Sequence, residues 1–278
     1  MKIWVIGDIH GCYRSLMALL EQLQLNSDDV VISIGDLINR GPDSESVLKL
    51  FSENAQFDSI IGNHELAFIR WFHSDRSRKI DDFEHIARQP YAERWLSWMR
   101  NRDVLKKIEN TYLVHAGLWP HWTLEQNQEH ADTLKYWIQS ASQEDFDQIG
   151  SMFDLAITEP LKSEPYLLQI SFYINVFLHM RFINVDDKSL HLARKDIPGL
   201  GEESIFESQP WYMIDSQFEK KLPKVVFGHW ASLGGVSGPW YTGIDTGCVW
   251  GKGLTAYEVY SGLIKFQPAL DKHIEIGG

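Results

Sequence analysis

Five stretches of the chain repeat one order of apolar and polar positions: an aliphatic run, in most cases a glycine, then a side chain able to hold a metal. They are IWVIGDIHG at 3–11, VVISIGDLINRG at 30–41, SIIGNHE at 59–65, YLVHAG at 112–117 and KVVFGH at 224–229. Short apolar runs closed by glycine suit strands buried on both faces. The pattern predicts parallel strands of one sheet, each presenting a polar residue at its carboxyl end, the edge where open α/β sheets bind ligands.

Between these strands the periodicity changes to helical. Leu16, Leu19, Leu20 and Leu23 follow the first motif at helical spacing, and Val47, Leu48 and Phe51 follow the second. Pro42 suits the first turn of that second helix. A third helix is expected from GNHE through Phe72. Alternating strands and helices imply crossover units and a largely parallel sheet. Residues 74–103 and 121–180 break the alternation with helical stretches rich in Trp, Gln, Glu and Ser. They read as helical insertions capping the edge where the motifs end, within a single domain over 1–278. From Lys224 onward KVVFG, WYTGID, LTAYEVY and LIKFQ restore strands, with turn signals suggesting an antiparallel finish. Residues 198–203 read as a surface loop.

Composition narrows the class. With 44% hydrophobic and 23% charged residues, the 278-residue chain lies in the ordinary globular range. A net charge of −12 excludes a broad nucleic-acid surface, which would be basic, though not a polyphosphate substrate, because bound metals invert the local field. Two cysteines make no disulfide framework. The stretch 166–182 carries Gln169, Asn175, His179 and Arg181 and is no membrane span. A cytoplasmic location is expected.

The candidate chemistry lies in the motif ends. Asp8 and His10 stand two apart, on one face of an extended segment, and can grip one ion together. Asp36 emerges from a buried strand, and its two oxygens can bridge two ions. The plainer role of capping the next helix falls more naturally to Asp43 or Ser44. Asn63 offers a neutral amide oxygen, with an Asx turn as its plainer role. His64 beside it points differently and can face a substrate. His115 and His229 each end an apolar strand; singly each reads as structural, together they read as ligands. These donors suit two divalent ions better than one, and a pair of ions clamps the attacking and leaving oxygens of phosphoryl transfer.

GDIHG, GDLINRG, GNHE, HAG and GHW, in this order, resemble the calcineurin-type metallophosphoesterases, the superfamily that includes the protein Ser/Thr phosphatases. VHAG at 114–117, MRF at 180–182, PW at 210–211, FGHWASL at 227–233 and IDTGCVWGKGLT at 244–255 are similar to the bacterial symmetrical diadenosine tetraphosphatases within it. The resemblance implies an α/β fold of mixed sheets flanked by helices. It implies Asp8 and His10 on a first ion, Asp36 bridging, Asn63, His115 and His229 on a second, His64 as general acid and Arg40 as phosphate clamp. The implied cofactors are two divalent ions, Mn²⁺ foremost, with Co²⁺, Fe or Zn²⁺ compatible with mixed N/O ligands. The implied reaction is hydrolysis of diadenosine tetraphosphate, or a related dinucleoside polyphosphate, to two ADP. Alternatives on the same scaffold are a protein phosphatase and removal of nucleoside-tetraphosphate caps from RNA 5′ ends; a non-catalytic nucleotide binder would more naturally have lost part of the ligand set. Asn39 stands where the protein phosphatases carry Asp, so the partner orienting His64 is open. HAG in place of HGG, and the lack of a SAPNY-like segment, weigh against a protein substrate. A tetraphosphate needs cations beyond the metals: Arg40 and Arg181 are the first candidates, with Lys252 in the WGKG turn and His179 as an aid to Arg181. Trp211, Trp230, Tyr212 and Trp250 are candidates for stacking on the bases.

Overall fold

A computed structural model describes residues 1–73, 80–152, 155–159, 163–198, 207–216 and 223–271. The chain runs β1 (Ile3–Ile6), α1 (Tyr13–Leu23), β2 (Val30–Ser33), α2 (Ser44–Glu53), β3 (Phe57–Ser59), α3 (Asn63–His73), α4 (Asp81–Ala87), α5 (Ala92–Arg100), β4 (Leu105–Ile108) and β5 (Thr111–Val114). It continues through α6 (Leu124–Ser140), α7 (Gln143–Met152), α8 (Tyr166–Ile174), β6 (Phe182–Asn184), β7 (Leu190–His191), β8 (Ser208–Pro210), β9 (Lys224–Phe227), β10 (Val236–Ser237), β11 (Tyr241–Gly243), β12 (Gly253–Glu258) and β13 (Ile264–Pro268).

The five motif strands do not share one sheet. β1, β2 and β3 run parallel in a sheet of order β13-β12-β1-β2-β3, while β5 and β9 run parallel in a second, β10-β11-β9-β5-β4. Ile3 and Val5, Ile32, Leu113 and Val226 meet in one buried cluster between the two sheets. The alternate residues Trp4, Ile6, Val31, Val114, Val225 and Phe227 join the larger cluster with Leu16 and Leu19 of α1 and Phe172 of α8. Each strand is thus covered by a sheet on one face and by helices on the other, and both faces must be apolar. Each buried Val, Leu or Ile contributes about 1.5–3 kcal/mol, so the layering rests on many such contacts.

The chain's end is only partly antiparallel. β12 and β13 pair antiparallel beside β1, but β9 and β11 are parallel to one another. The second helix begins after Pro42, not on it: Asp43 is the N-cap and its carboxylate accepts from the Ser46 N–H at 3.0 Å. The third helix opens at Asn63, so its positive N-terminal end faces the motif loops. Helices α4 and α5 lie within the stretch 74–103, and α6, α7 and α8 within 121–180. A π-helical turn, Asn175–His179, closes α8, a distortion frequent at functional sites. A small three-stranded sheet, β7-β6-β8, lies beyond it. No helix among the described residues is long and apolar enough to cross a membrane. The loop expected at 198–203 falls, after Pro198, outside the described residues.

Candidate metal centre and active site

The loops after β1, β2, β3, β5 and β9 meet at one end of the paired sheets. Five of the eight non-glycine residues with positive φ among the described residues are here: His10 (48°), Asp36 (53°), Asn39 (73°), Arg40 (74°) and His229 (63°). Left-handed backbone costs such residues on the order of 1–3 kcal/mol each and persists where the surrounding structure holds it. The motif glycines have a steric reason. A Cβ on Gly62 would lie 2.3 Å from Asp36 Oδ1, and one on Gly228 would lie 2.2 Å from Asp8 Oδ1. The glycine of one motif makes room for the carboxylate of another.

Asp36 stands at the centre. Its Oδ2 is 3.5 Å from His10 Nε2, 3.6 Å from His115 Nε2 and 3.9 Å from His64 Nε2. Its Oδ1 accepts the His64 backbone N–H at 2.9 Å, at the start of α3. Two compact donor groups share it: His10, Asp36 and His64, and Asp36, His115 and His229, with the donor atoms of each within 4.8 Å of one another. Asn63 Oδ1 approaches His115 Nε2 at 2.9 Å and His229 Nδ1 at 3.0 Å. Asp8 lies outside these compact groups. Its carboxylate accepts the His229 N–H at 3.1 Å on both oxygens and faces the same cavity.

The outer ring nitrogens decide what faces inward. His10 Nδ1 donates to Ile38 O (3.1 Å), His115 Nδ1 to Ile34 O (2.9 Å) and His229 Nε2 to His179 O (3.1 Å), since a carbonyl can only accept. The inner nitrogens are then lone pairs, as carbonyl-anchored metal ligands require. Around Asn63, three acceptor atoms converge with no proton to share. A cation resolves that conflict, so the residues present fit the divalent ions.

Charge leads to the same conclusion. Burial pushes the Asp8 carboxyl well up, helped by Asp245 and Asp36, and burial raises Asp36 to about 7 and Asp245 to about 6. Burial also lowers His10 to about 3 and His115 to about 4, and holds His229 and His64 well below the usual imidazole range. The imidazoles are neutral, so the carboxylates have no histidine counterion. This sets a pH dependence for metal uptake. A carboxyl raised in the metal-free protein must lose its proton to bind, so affinity is expected to fall as pH drops through about 7, the value of Asp36, with Asp8, pushed well up by burial, acting in the same direction. The fall is about tenfold per pH unit for each proton released. The rings, already neutral, release none until far lower pH. Titration calorimetry at pH 6 in buffers of different ionisation enthalpy measures this; zero proton release would overturn it.

Glu65, unremarked in the sequence reading although it ends GNHE, braces the centre. Its Oε2 accepts from the Asp36 and Gly62 N–H groups, both at 2.8 Å, and its Oε1 accepts from Leu37 N at 2.8 Å. One buried carboxylate thereby ties together the loops that carry Asp36 and Asn63.

The centre is the floor of a cavity of about 590 Å³ whose walls include Arg40, Arg181, Lys195, Asp245 and Trp250. Arg40 is exposed at the rim, its guanidinium 5.3 Å from the Trp250 ring centre. Arg181 is half-buried, donates to His229 O at 2.9 Å and is lowered to about 10 by burial. The π-helical turn brings His179 to the wall as well. Of the expected substrate contacts, two tryptophans are buried in the core and Lys252 stands at the edge of the cavity. Lys252 donates to the carbonyl of the wall residue Ala231 at 3.3 Å, and Lys195 lines the wall itself. Trp211 is fully buried against Phe227 and Trp240. Trp230 is buried against Phe182 and donates to Asp196 O. Both indoles fill the core, and Tyr212, also buried, packs with them. Trp250, half-exposed, is the indole on the cavity. Asp245 was also missed, although β11 and Ile244 lead into it by the strand–acid pattern of the other motifs.

The model of the calcineurin-like phosphoesterase family matches residues 1–239. The chain belongs to this family. Its curated relatives include the symmetrical bis(5′-nucleosyl)-tetraphosphatase of Pseudomonas putida strain F1, 31% identical over 94% of this chain and 91% of that protein. The Proteus mirabilis protein of the same name is 31% identical over 97% of this chain and 98% of its own. Among solved structures, a chain assigned as a diadenosine tetraphosphatase superposes with TM-score 0.61 at 21% identity, covering 98% of this chain and 95% of its own. A Saccharomyces cerevisiae protein serine/threonine phosphatase superposes with TM-score 0.54 at 17% identity, covering 98% and 81%. The calcineurin-like fold, with mixed sheets flanked by helices, is the one expected from the motifs, and the family's hydrolytic chemistry uses divalent metals.

Proposed function

We propose that this calcineurin-like phosphoesterase hydrolyses dinucleoside tetraphosphates at the central phosphoanhydride, converting diadenosine tetraphosphate and water to two ADP. The observation that carries the reading is Asp36, whose Oδ2 lies 3.5 Å from His10 Nε2 and 3.6 Å from His115 Nε2, at the floor of a cavity that continues outward past Arg40, Arg181 and Lys195. End-to-end similarity to relatives named for this reaction supports the choice of substrate.

Asp8 and His10 would hold a first ion and Asn63, His115 and His229 a second, with Asp36 shared by both. When bound, the ions supply Lewis-acid charge beside the transferring phosphoryl group. The mixed nitrogen and oxygen donors suit Mn²⁺. Attack by water forms one P–O bond while the bridging P–O bond to the departing ADP breaks. His64, with Nε2 turned toward the centre, gives that ADP oxygen its proton. Arg40 and Arg181 spread charge over the flanking phosphates and set which bridge lies at the centre. The cytoplasm suits a chain whose two cysteines, Cys12 and Cys248, are buried thiols.

Products decide the register. Hydrolysis of diadenosine tetraphosphate in ¹⁸O-water is expected to yield ADP alone, half of it labelled. ATP and AMP as main products would overturn the register. Orthophosphate from phosphopeptides at higher kcat/KM would favour a protein phosphatase instead.

A further inference from the structure

We infer that the Asn39 carboxamide is a positioning residue that locks His64 as the Nε2–H tautomer, so that an N–H and not a lone pair faces the centre. The kinetic consequence rests on the role proposed for His64; the tautomer does not.

Asn39 Nδ2 is 2.9 Å from His64 Nδ1. The alternative rotamer of the amide is excluded by its other end: Asn39 Oδ1 is 2.8 Å from the Arg40 backbone nitrogen, which can only donate. The amide nitrogen therefore faces the ring and is itself only a donor, so His64 Nδ1 accepts. The ring proton then sits on Nε2, the nitrogen facing Asp36 Oδ2. The other tautomer would set a donor against a donor.

Asn39 is held in turn. Its backbone N–H donates to Asp82 Oδ2 at 2.9 Å and to Ser44 Oγ at 3.0 Å, and Ser44 Oγ donates to the same Asp82 oxygen at 2.9 Å. Asp82 comes from α4, so the insertion reaches the acid through Asn39. Its carboxylate stops at the backbone and the serine, and the ring meets an amide. The left-handed backbone of Asn39, φ 73°, is one that Asn tolerates better than most residues. A carboxylate in this place could only accept, and would set a proton on Nδ1. The amide holds the ring so that its Nε2–H is turned toward the centre.

Long-range ¹H–¹⁵N correlation of ¹⁵N-histidine-labelled, metal-free protein reads the tautomer directly, with the His64 signals identified by their loss in His64→Gln. The wild type is expected to show a protonated Nε2 and a bare Nδ1. In Asn39→Asp, which keeps size and tolerates positive φ, a proton is expected to appear on Nδ1. Kinetics give the second arm. Asn39→Gly relieves φ and removes the amide, and is expected to lower kcat on diadenosine tetraphosphate about tenfold, part of the about 10²–10⁴ available to acid catalysis. KM should hold, and kcat should hold on an aryl phosphate whose low-pKa phenol leaves unprotonated. A wild-type Nδ1 proton overturns the inference, as does an equal loss of kcat on both substrates, or no loss on either. Absence of any tetraphosphate turnover in the wild type would instead strike at the proposed function, and the spectrum would still decide the tautomer.

Discussion

Asp36→Asn is expected to strip bound metal and to lower kcat/KM on diadenosine tetraphosphate by on the order of 10²–10³-fold or more, the loss typical of removing a single electrostatic stabiliser. The residue is nearly isosteric, tolerates the positive φ, and its Oδ1 still accepts the His64 N–H, so the loop has every reason to fold. What disappears is the negative charge that both donor groups share. Elemental analysis and kinetics check it: two ions retained with a rate near wild type would show that Asp36 does not bridge. Thermal melting separates loss of function from loss of fold. Among Asp8, Asp36, Glu65 and Asp245, all buried, the substitution neutralises the central carboxyl. The metal-free variant is therefore expected to melt at or above metal-free wild type, since an uncompensated buried charge is costly. Added Mn²⁺ should raise the melting temperature of the wild type but leave the variant almost unmoved.

His64→Ala is expected to lower kcat on the tetraphosphate by about 10²–10⁴-fold with metal content intact. The ring is buried, packs edge-on against His10 with centroids 4.7 Å apart, and its Nε2 points toward Asp36. None of the outer anchors of His10, His115 or His229 depends on it. The loss should shrink on aryl phosphates of low-pKa phenols, whose leaving group needs no proton. An equal loss on both substrates, or a loss of bound metal, would assign His64 another task.

The particular residues show where sequence reading stopped. A strand covered by a sheet on one face and helices on the other is as apolar as one between two helix layers, so the runs at 3–6 and 112–114 do not reveal that they belong to different sheets. Lys252 and Lys195, or Trp211 and Trp250, carry the same chemistry in the chain; a loop's direction decides which reaches the cavity. Glu65 and Asn39 act through hydrogen bonds to backbone and ring atoms 25 to 29 residues away, and nothing in local spacing encodes those meetings.

What the sequence determined by itself was the kind of chemistry and the candidate residues for it. The order of five strand-end motifs is legible because a buried strand needs continuous apolar residues, a close approach between loops needs glycine, and a metal needs particular donor atoms. What only the tertiary structure decided was how those donors meet: Asp36 between two groups, Asn63 against two imidazoles, a carboxamide on the His64 ring, and Trp250 on the cavity where Trp211 and Trp230 fill the core. The physical reason is that donor identity is a property of one side chain. Protonation, tautomer and access are properties of its neighbours, and those neighbours are brought together by packing two sheets whose paired strands lie up to 254 residues apart in the chain, as Trp4 and Glu258 do.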